Sequence, residues 1–184
     1  MSQRLMRTVR LSAFLGITVL AMPVGAGADH GSRPYREHIT GTLSSSTLDR
    51  NGDGVPANLS TFSGKSNFGE VHGSSSFEVT AFGAPVNCEP GELEAALVGT
   101  RDVRRFPENG DMVFLEVSDL LLCLNPSTGV FRLSSKGYFI GGTGRYSEAT
   151  GDFTGSFTGV VLAIDPKGAL FGAFSGGIRG TIDR

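Results

Sequence analysis

Residues 170–182 read LFGAFSGGIRGTI, and this stretch decides the fold. Successive side chains of a β-strand point to opposite faces, so residues of one parity share a face. Large apolar residues and glycines alternate on one such face, at Leu170, Gly172, Phe174, Gly176, Ile178, Gly180 and Ile182. The tapering interior of a small β-barrel accommodates a row of this kind.

The segment before it repeats the pattern. One parity carries Phe153, Gly155, Phe157, Gly159, Val161 and Ala163. Asp165-Pro166-Lys167-Gly168 joins the two segments and contains the Pro and Gly that turns favour. The two segments therefore predict a hairpin within a closed antiparallel barrel. A two-sheet sandwich is the alternative, although sandwiches more often use unbroken rows of Val, Ile and Leu.

Composition supports a single all-β domain over residues 35–184. The chain has 27 glycines among 184 residues, about twice the usual share, together with 13 phenylalanines. Such a mixture suits short strands and tight turns. The segment Glu92–Gly99 fits either a short helix or a strand. Further strands are predicted at Glu37–Leu43, Asn58–Phe68, Ser74–Phe82 and Gly129–Ile140. Asp111–Leu124 is predicted as one long strand or as two strands joined by a kink at Ser118-Asp119.

The first 28 residues have the pattern of a signal peptide. Three arginines precede the apolar run Leu11–Met22, and Ala26-Gly27-Ala28 supplies a cleavage pattern. The run is shorter than the roughly 18 residues that a membrane span needs, so an uncleaved anchor is the less favoured alternative. We expect a flexible leader at 29–34, no further membrane segment, and a secreted, periplasmic or cell-envelope location.

The charge balance argues against nucleic acid as a partner. The chain has 18 acidic and 16 basic residues, and signal cleavage would remove three arginines and no acid. The mature chain is then acidic. Arg101, Arg104 and Arg105 come closest to a basic cluster, but Asp102 and Glu108 dilute it. We interpret that segment as a solvated loop.

Cys88 and Cys123 are the only two cysteines. Export would place them where disulfides persist, so we predict that they pair. Closing this loop would stabilise the fold by about 3–4 kcal/mol on the chain-entropy model. Two buried free thiols are the alternative.

Glu116 is the one candidate for a catalytic acid or base. It lies in an apolar strand on the parity of Met112, Phe114 and Leu120. If that face lines a pocket, burial would raise the pKa of Glu116. A solvent-facing Glu116 on the outside of the barrel is the interpretation that we favour. We find no other acid or base in the rows assigned to the interior.

Residues 49–54 match the first half of a calcium loop. Asp49, Asn51 and Asp53 offer oxygens at alternate positions. Ser60 stands where the bidentate Glu is expected, so an Asx-type turn is the favoured interpretation and calcium the alternative. The sequence indicates no other cofactor.

Residues 141–152 carry the most specific motif, GGTGRYSEATGD. It resembles the Gly-Gly-Thr-Gly-Arg-Phe…Ala-Thr-Gly stretch of the allene oxide cyclase/dirigent barrel superfamily, and in particular its exported bacterial members. The acidic turn at 49–54, the loop at Cys88 and the second cysteine also fit, and the resemblance covers Tyr35–Ile182. Thr150 stands where dirigent proteins typically have Arg, and the family's catalytic carboxylates find no match here.

The superfamily includes enzymes and non-catalytic radical-orienting proteins, so the resemblance implies the barrel and leaves the activity open. We expect an exported binding or scaffold domain for a small apolar molecule, without catalysis. A cyclase or isomerase acting in the barrel mouth is one alternative. A structural or adhesive surface protein is the other. A deep apolar pocket that contains a buried carboxylate favours the cyclase or isomerase, and a pocket without one favours binding. A barrel packed solid with phenylalanines favours the structural role.

Overall fold

A computed structural model describes residues 31–49, 52, 54, 56–79, 82–164 and 170–184. The predicted signal peptide lies outside the described residues. No helix within these ranges is long and apolar enough to cross a membrane. The described chain forms the strands β1 (Arg33–Ser45), β2 (Asn58–Ser66), β3 (Gly69–Val79), β4 (Leu93–Arg105), β5 (Met112–Leu124), β6 (Val130–Gly142), β7 (Asp152–Ile164) and β8 (Leu170–Ile182).

These strands close into one antiparallel barrel, as predicted. Each strand pairs with the next along the chain, and β8 pairs with β1 to complete the ring. β7 and β8 pair in register from Phe153 opposite Gly180 onwards, which confirms the predicted hairpin partners. The residues that connect them, 165–169, lie outside the described residues.

Interior glycines receive phenylalanine rings from the neighbouring strand. Phe131 is the cross-strand partner of Gly159, and Phe153 is the partner of Gly137. The ring of Phe153 lies where a side chain at position 137 would begin, 2.6 Å from the ideal Cβ. The glycines therefore make room for aromatic rings, and these rings fill most of the barrel at the density expected of a protein interior.

The motif at 141–152 forms a corner that plugs one end of the barrel, which we call the closed end. Thr143 bonds twice to Met112, with its backbone N–H donating to the Met112 carbonyl at 2.8 Å and its Oγ1 accepting the Met112 N–H at 2.9 Å. A 3-10 turn over Gly144–Tyr146 follows. It buries Tyr146, which stacks on Phe106 with ring centroids 4.9 Å apart. The opposite end, bordered by the loops 46–57 and 80–92, is called the mouth.

Two local predictions are wrong. Arg33 and Pro34 belong to β1 and pair with the end of β8, so the described part of the leader ends at Ser32. The segment containing Arg101 and Arg104 is the second half of β4 and not a solvated loop. The ambiguous segment 92–99 is resolved as the start of that same strand. Of the two alternatives for Asp111–Leu124, the structure has the single strand β5, whose register shifts between Val117 and Asp119.

Replacing Gly144 with alanine should lower the free energy of unfolding by about 2–3 kcal/mol. Its φ is +55°, and a Cβ there would collide with the Asp111 carboxylate, which contacts Arg145 at 3.4 Å. Gly110 is the matched control, since its φ is +78° but nothing lies within 4 Å of its Cβ position. We expect Gly110→Ala to lower the free energy of unfolding by about 1–2 kcal/mol, because only the unfavourable φ contributes there. Equal losses in urea denaturation would contradict the steric part of this prediction.

Candidate ligand-binding site

A buried ion pair crosses the interior of the barrel. Glu37 of β1 and Arg104 of β4 lie on strands that are not neighbours, yet Arg104 Nη2 contacts Glu37 Oε1 at 3.0 Å and Nε donates to the same oxygen at 3.2 Å. Their side chains are 0% and 2% exposed, respectively. The pair therefore links opposite parts of the wall in surroundings from which water is excluded.

Two further groups complete this interior cluster. Arg104 Nη1 donates to Asp102 Oδ2 at 2.9 Å, and the Tyr35 hydroxyl donates to Glu37 Oε2 at 2.7 Å. The guanidinium carbon of Arg104 also lies 4.4 Å from the centroid of the Phe62 ring. Two carboxylates thus share one guanidinium, which leaves the cluster with an excess of negative charge when both are ionised.

The environment shifts the titration of three members. Burial raises the pKa of Asp102 and outweighs the opposite influence of Arg104. For Arg104, burial would lower the pKa, but Glu37 and Asp102 together raise it well above its ordinary value. Burial and the neighbouring Glu37 raise the pKa of Tyr35. Arg104 therefore stays charged, and burial disfavours the ionised form of Asp102.

An interior cavity of about 70 Å³ adjoins the cluster. Asp102 and Arg104 form part of its wall, and the rest is mainly apolar, with phenylalanines from five strands. The remaining polar lining residues are Ser60, Ser75, Thr100 and Ser135. The interior of the barrel is therefore largely filled by side chains, and a small cavity remains beside Asp102 and Arg104.

A second cavity of about 30 Å³ includes Phe82 of the mouth loop in its lining and is otherwise bounded by apolar residues. Four side chains line both cavities, namely Leu43, Phe77, Phe131 and Leu133. These side chains lie between the interior cavity and the smaller cavity nearer the mouth.

Two buried polar atoms of the lining lack a regular hydrogen bond. Among the described residues, Thr100 Oγ1 and Asp102 Oδ1 have no partner of hydrogen-bond geometry, although Ser75 lies close enough to Asp102 to favour its charged form. The Ser75 hydroxyl itself bonds to that of Ser60 at 2.6 Å. Buried polar atoms normally form hydrogen bonds, so these two oxygens are open to a hydrogen bond from a bound molecule.

Glu116, the catalytic candidate, lies on the outside of the barrel. Its side chain is 52% exposed and 3.9 Å from Arg101. The bulge between Val117 and Asp119 explains this position. It shifts the parity of β5, so Leu120 points inward although it shares the parity of the outward-facing Glu116.

The two rows assigned to the interior from the sequence, in β7 and β8, hold no acid or base, but the interior rows of β1 and β4 do, with Glu37, Asp102 and Arg104. Part of this was predictable. Glu37 shares the parity of Ile39 and Leu43 in the predicted first strand. The interior row of β4 also alternates, through Thr100, Asp102 and Arg104, and Phe106 continues it just beyond the strand. Interpreting the arginine segment as a loop hid that row.

The calcium candidate is only partly described. Asp49 accepts the backbone N–H groups of Gly52 and Gly54 at 2.7 and 2.9 Å, as in an Asx-type turn. The other two candidate ligands, Asn51 and Asp53, lie outside the described residues. Calcium binding at this loop stays an untested alternative.

The predicted Cys88–Cys123 disulfide is present, with the two Cα atoms 5.6 Å apart. It ties the loop 80–92 to the end of β5 at the mouth. Glu94 anchors the same loop by accepting the N–H groups of Val86 and Asn87 at 2.7 and 2.6 Å. A structural disulfide is consistent with an oxidising, extracellular compartment.

Comparison of the chain with protein-family models finds no match. Comparison with curated proteins finds none either. The residues of the barrel interior are therefore the basis for proposing a function.

Proposed function

We propose that the protein is an exported barrel that binds a small, mainly apolar molecule, with the polar group of that molecule against Asp102 and Thr100. The supporting observation is the pair of buried oxygens, Thr100 Oγ1 and Asp102 Oδ1, that lack a regular hydrogen bond among the described residues and lie in the wall of a mainly apolar cavity. Ligand sites commonly combine apolar walls with a few placed polar groups.

The charges of the interior cluster determine which polar group of a ligand would fit beside it. Arg104 is already held by Glu37 and Asp102, so it has little attraction left for an anionic ligand. Asp102 Oδ1 is an acceptor when ionised, and the Thr100 hydroxyl can donate or accept. The site therefore fits a neutral molecule that donates a hydrogen bond, such as an alcohol, and disfavours a carboxylate.

Cyclopentanol and cyclopentanone make a matched pair of probes. Their rings are of similar size, but only the alcohol donates a hydrogen bond. We expect the alcohol to bind about tenfold more tightly, since a hydrogen bond to a charged group contributes about 1.5–3 kcal/mol. Amide shifts in NMR titrations would give both affinities. Absence of interior shifts with either probe at saturation in water would overturn the proposal.

Asp102→Asn should remove the preference for the alcohol. The amide oxygen would face Arg104, which leaves the NH₂ group towards the cavity as a donor. Cyclopentanol should then lose about tenfold in affinity while cyclopentanone does not. Glu116→Gln is the control, because that carboxylate is exposed on the outer face. An unchanged preference in Asp102→Asn would contradict the assigned role of Asp102.

The pH dependence of binding gives a further readout. Burial raises the pKa of Asp102, so its acceptor form is lost as the pH falls through that raised value. Affinity for cyclopentanol should fall in the same window. The folded state also takes up this proton at higher pH than the unfolded chain, so this group favours folding more as the pH falls. Both effects should be missing in Asp102→Asn.

A cyclase or isomerase is the second candidate function. A buried carboxyl with a raised pKa beside a fixed guanidinium is the arrangement expected of a general acid. Cyclopentene oxide tests it, because isomerisation to the allylic alcohol moves one proton from carbon to oxygen and needs no co-reactant. Product that forms with the wild type and Glu116→Gln but not with Asp102→Asn would support catalysis. Equal product with and without protein would rule it out for this probe.

A further inference from the structure

The outer face of the barrel carries a groove of about 740 Å³ over β7, β8, β1 and β2. Four exposed basic side chains line it, and we call it the basic groove: Arg36, His38, Lys65 and Arg179. Thr154 and Ser156 of β7 add hydroxyl groups to the same lining.

Strand register places two arginines directly opposite each other in this groove. Arg36 pairs with Arg179 across β1 and β8, and His38 pairs with Lys65 across β1 and β2. Directly opposed side chains have Cβ atoms about 4.5–5.5 Å apart, and like charges at that distance destabilise a sheet. The chain as a whole has more acidic than basic residues, so the concentration of basic residues here is local.

Within the described part of the chain, no carboxylate lies within 4.0 Å of the charged groups of Arg36, Lys65 or Arg179, although Glu70 is the cross-strand partner of Lys65. Elsewhere on the barrel, ion pairs are formed by Arg101, Arg132, Lys136 and Arg145. The groove is therefore a concentrated positive surface whose charge is available to a ligand.

The floor of the groove is backbone at Gly177. A Cβ at this position would approach His38 Cα to 3.2 Å and would collide with the Glu37 carbonyl, so the pairing of β8 with β1 excludes any side chain. Ser175 borders the floor, and its Oγ lies 3.4 Å from His38 Nε2. An occupant can thus reach the strand surface between the flanking basic groups.

We propose that the basic groove binds a doubly charged oxyanion, phosphate or sulfate, either free or as the ester of a soluble sugar. Two guanidinium groups on adjacent strands offer paired N–H donors to the oxygens of one such group, and the hydroxyls of Thr154 and Ser156 offer more. This site is separate from the interior cavity, since Arg36 and His38 point outward while Glu37, between them, points inward.

Titration with inorganic phosphate at constant ionic strength, against chloride, tests the proposal by NMR. We expect amide shifts at residues 36–38, 65, 154–156 and 175–179. The variant R36Q/R179Q should weaken phosphate binding at least tenfold. The control R101Q/R105Q removes two exposed basic residues of β4, a strand outside the groove, and should change phosphate binding less than twofold. Lys65→Gln offers a milder test at the far side of the groove, with a loss of about threefold.

Glucose 6-phosphate distinguishes the two sources of the anion. Tighter binding than inorganic phosphate assigns a sugar ester, and equal affinity assigns the free ion. Shifts that are absent, that are spread over the whole barrel, or that persist in both R36Q/R179Q and Lys65→Gln would overturn the proposal. Preferential binding to vesicles of anionic phospholipid over the soluble anions would overturn it in favour of a membrane surface. Cyclopentanol affinity should be the same in all these variants, so failure here leaves the interior site testable.

Discussion

Replacing Arg104 with methionine is expected to lower the free energy of unfolding by about 3–5 kcal/mol at neutral pH. The substitution leaves the carboxylates of Glu37 and Asp102 inside the barrel without their cation. Breaking a buried ion pair from one side costs more than the pair itself contributes, because an uncompensated charge remains in a medium of low dielectric constant. Urea denaturation followed by circular dichroism would measure the loss.

The pH dependence should identify the cause of that loss. Without Arg104, the largest influence that opposes burial is lost, so the pKa of Asp102 should rise further. The folded state of R104M then binds protons at higher pH than the unfolded chain, so its stability should rise as the pH falls through that raised pKa. A loss of packing alone would give a deficit that does not change with pH.

Two companion variants sharpen this test. E37Q/D102N/R104M removes all three charges and should recover most of the lost stability, since no uncompensated charge is left inside. Arg132→Met is the matched control, because Arg132 also contacts two carboxylates, Glu89 at 3.0 Å and Glu92 at 2.7 Å, but in an exposed setting. Arg132→Met should lower the free energy of unfolding by only a small fraction of the amount expected for R104M. A triple variant as unstable as R104M would contradict the electrostatic explanation.

Much of the fold was predictable because barrel geometry imposes a period of two. The alternation of large residues with glycine in the last two strands indicated from the sequence which face is interior. Phe153 and Ile178 are buried on that face. The same rule failed in β5, where a bulge shifts the parity between Glu116 and Leu120. A bulge depends on the strands on either side, so a single strand's pattern does not reveal where it occurs.

The interior cluster was harder to predict because its members look unfavourable one at a time. Composition rules place Asp, Glu and Arg at the surface unless they are paired. The partner of Arg104 is 67 residues away at Glu37, on a strand that is not its neighbour. No local pattern connects two such positions, and only the closure of the barrel brings them together. The basic groove escaped notice for the same reason, since Arg36 and Arg179 meet only where β8 pairs with β1.

Removing the disulfide should cost about 3–4 kcal/mol in C88A/C123A, on the chain-entropy model. The two cysteines are 35 residues apart, so the cross-link restricts a sizeable loop of the unfolded chain. In the folded state, hydrogen bonds from the mouth loop to Glu94 remain when the cross-link is lost. We therefore expect the native barrel to persist and the effect to arise mainly in the unfolded state.

Urea denaturation of the oxidised protein, the reduced protein and C88A/C123A separates the possible origins of this effect. A less restricted unfolded chain exposes more surface, so the m-value should rise in the reduced protein and in the variant while the midpoint falls. Reductant should leave C88A/C123A unchanged, which controls for effects of the reagent. A midpoint in C88A/C123A equal to that of the oxidised wild type would show that the barrel does not depend on the cross-link. A lower midpoint with an unchanged m-value would instead place the contribution of the disulfide in the packing of the folded mouth.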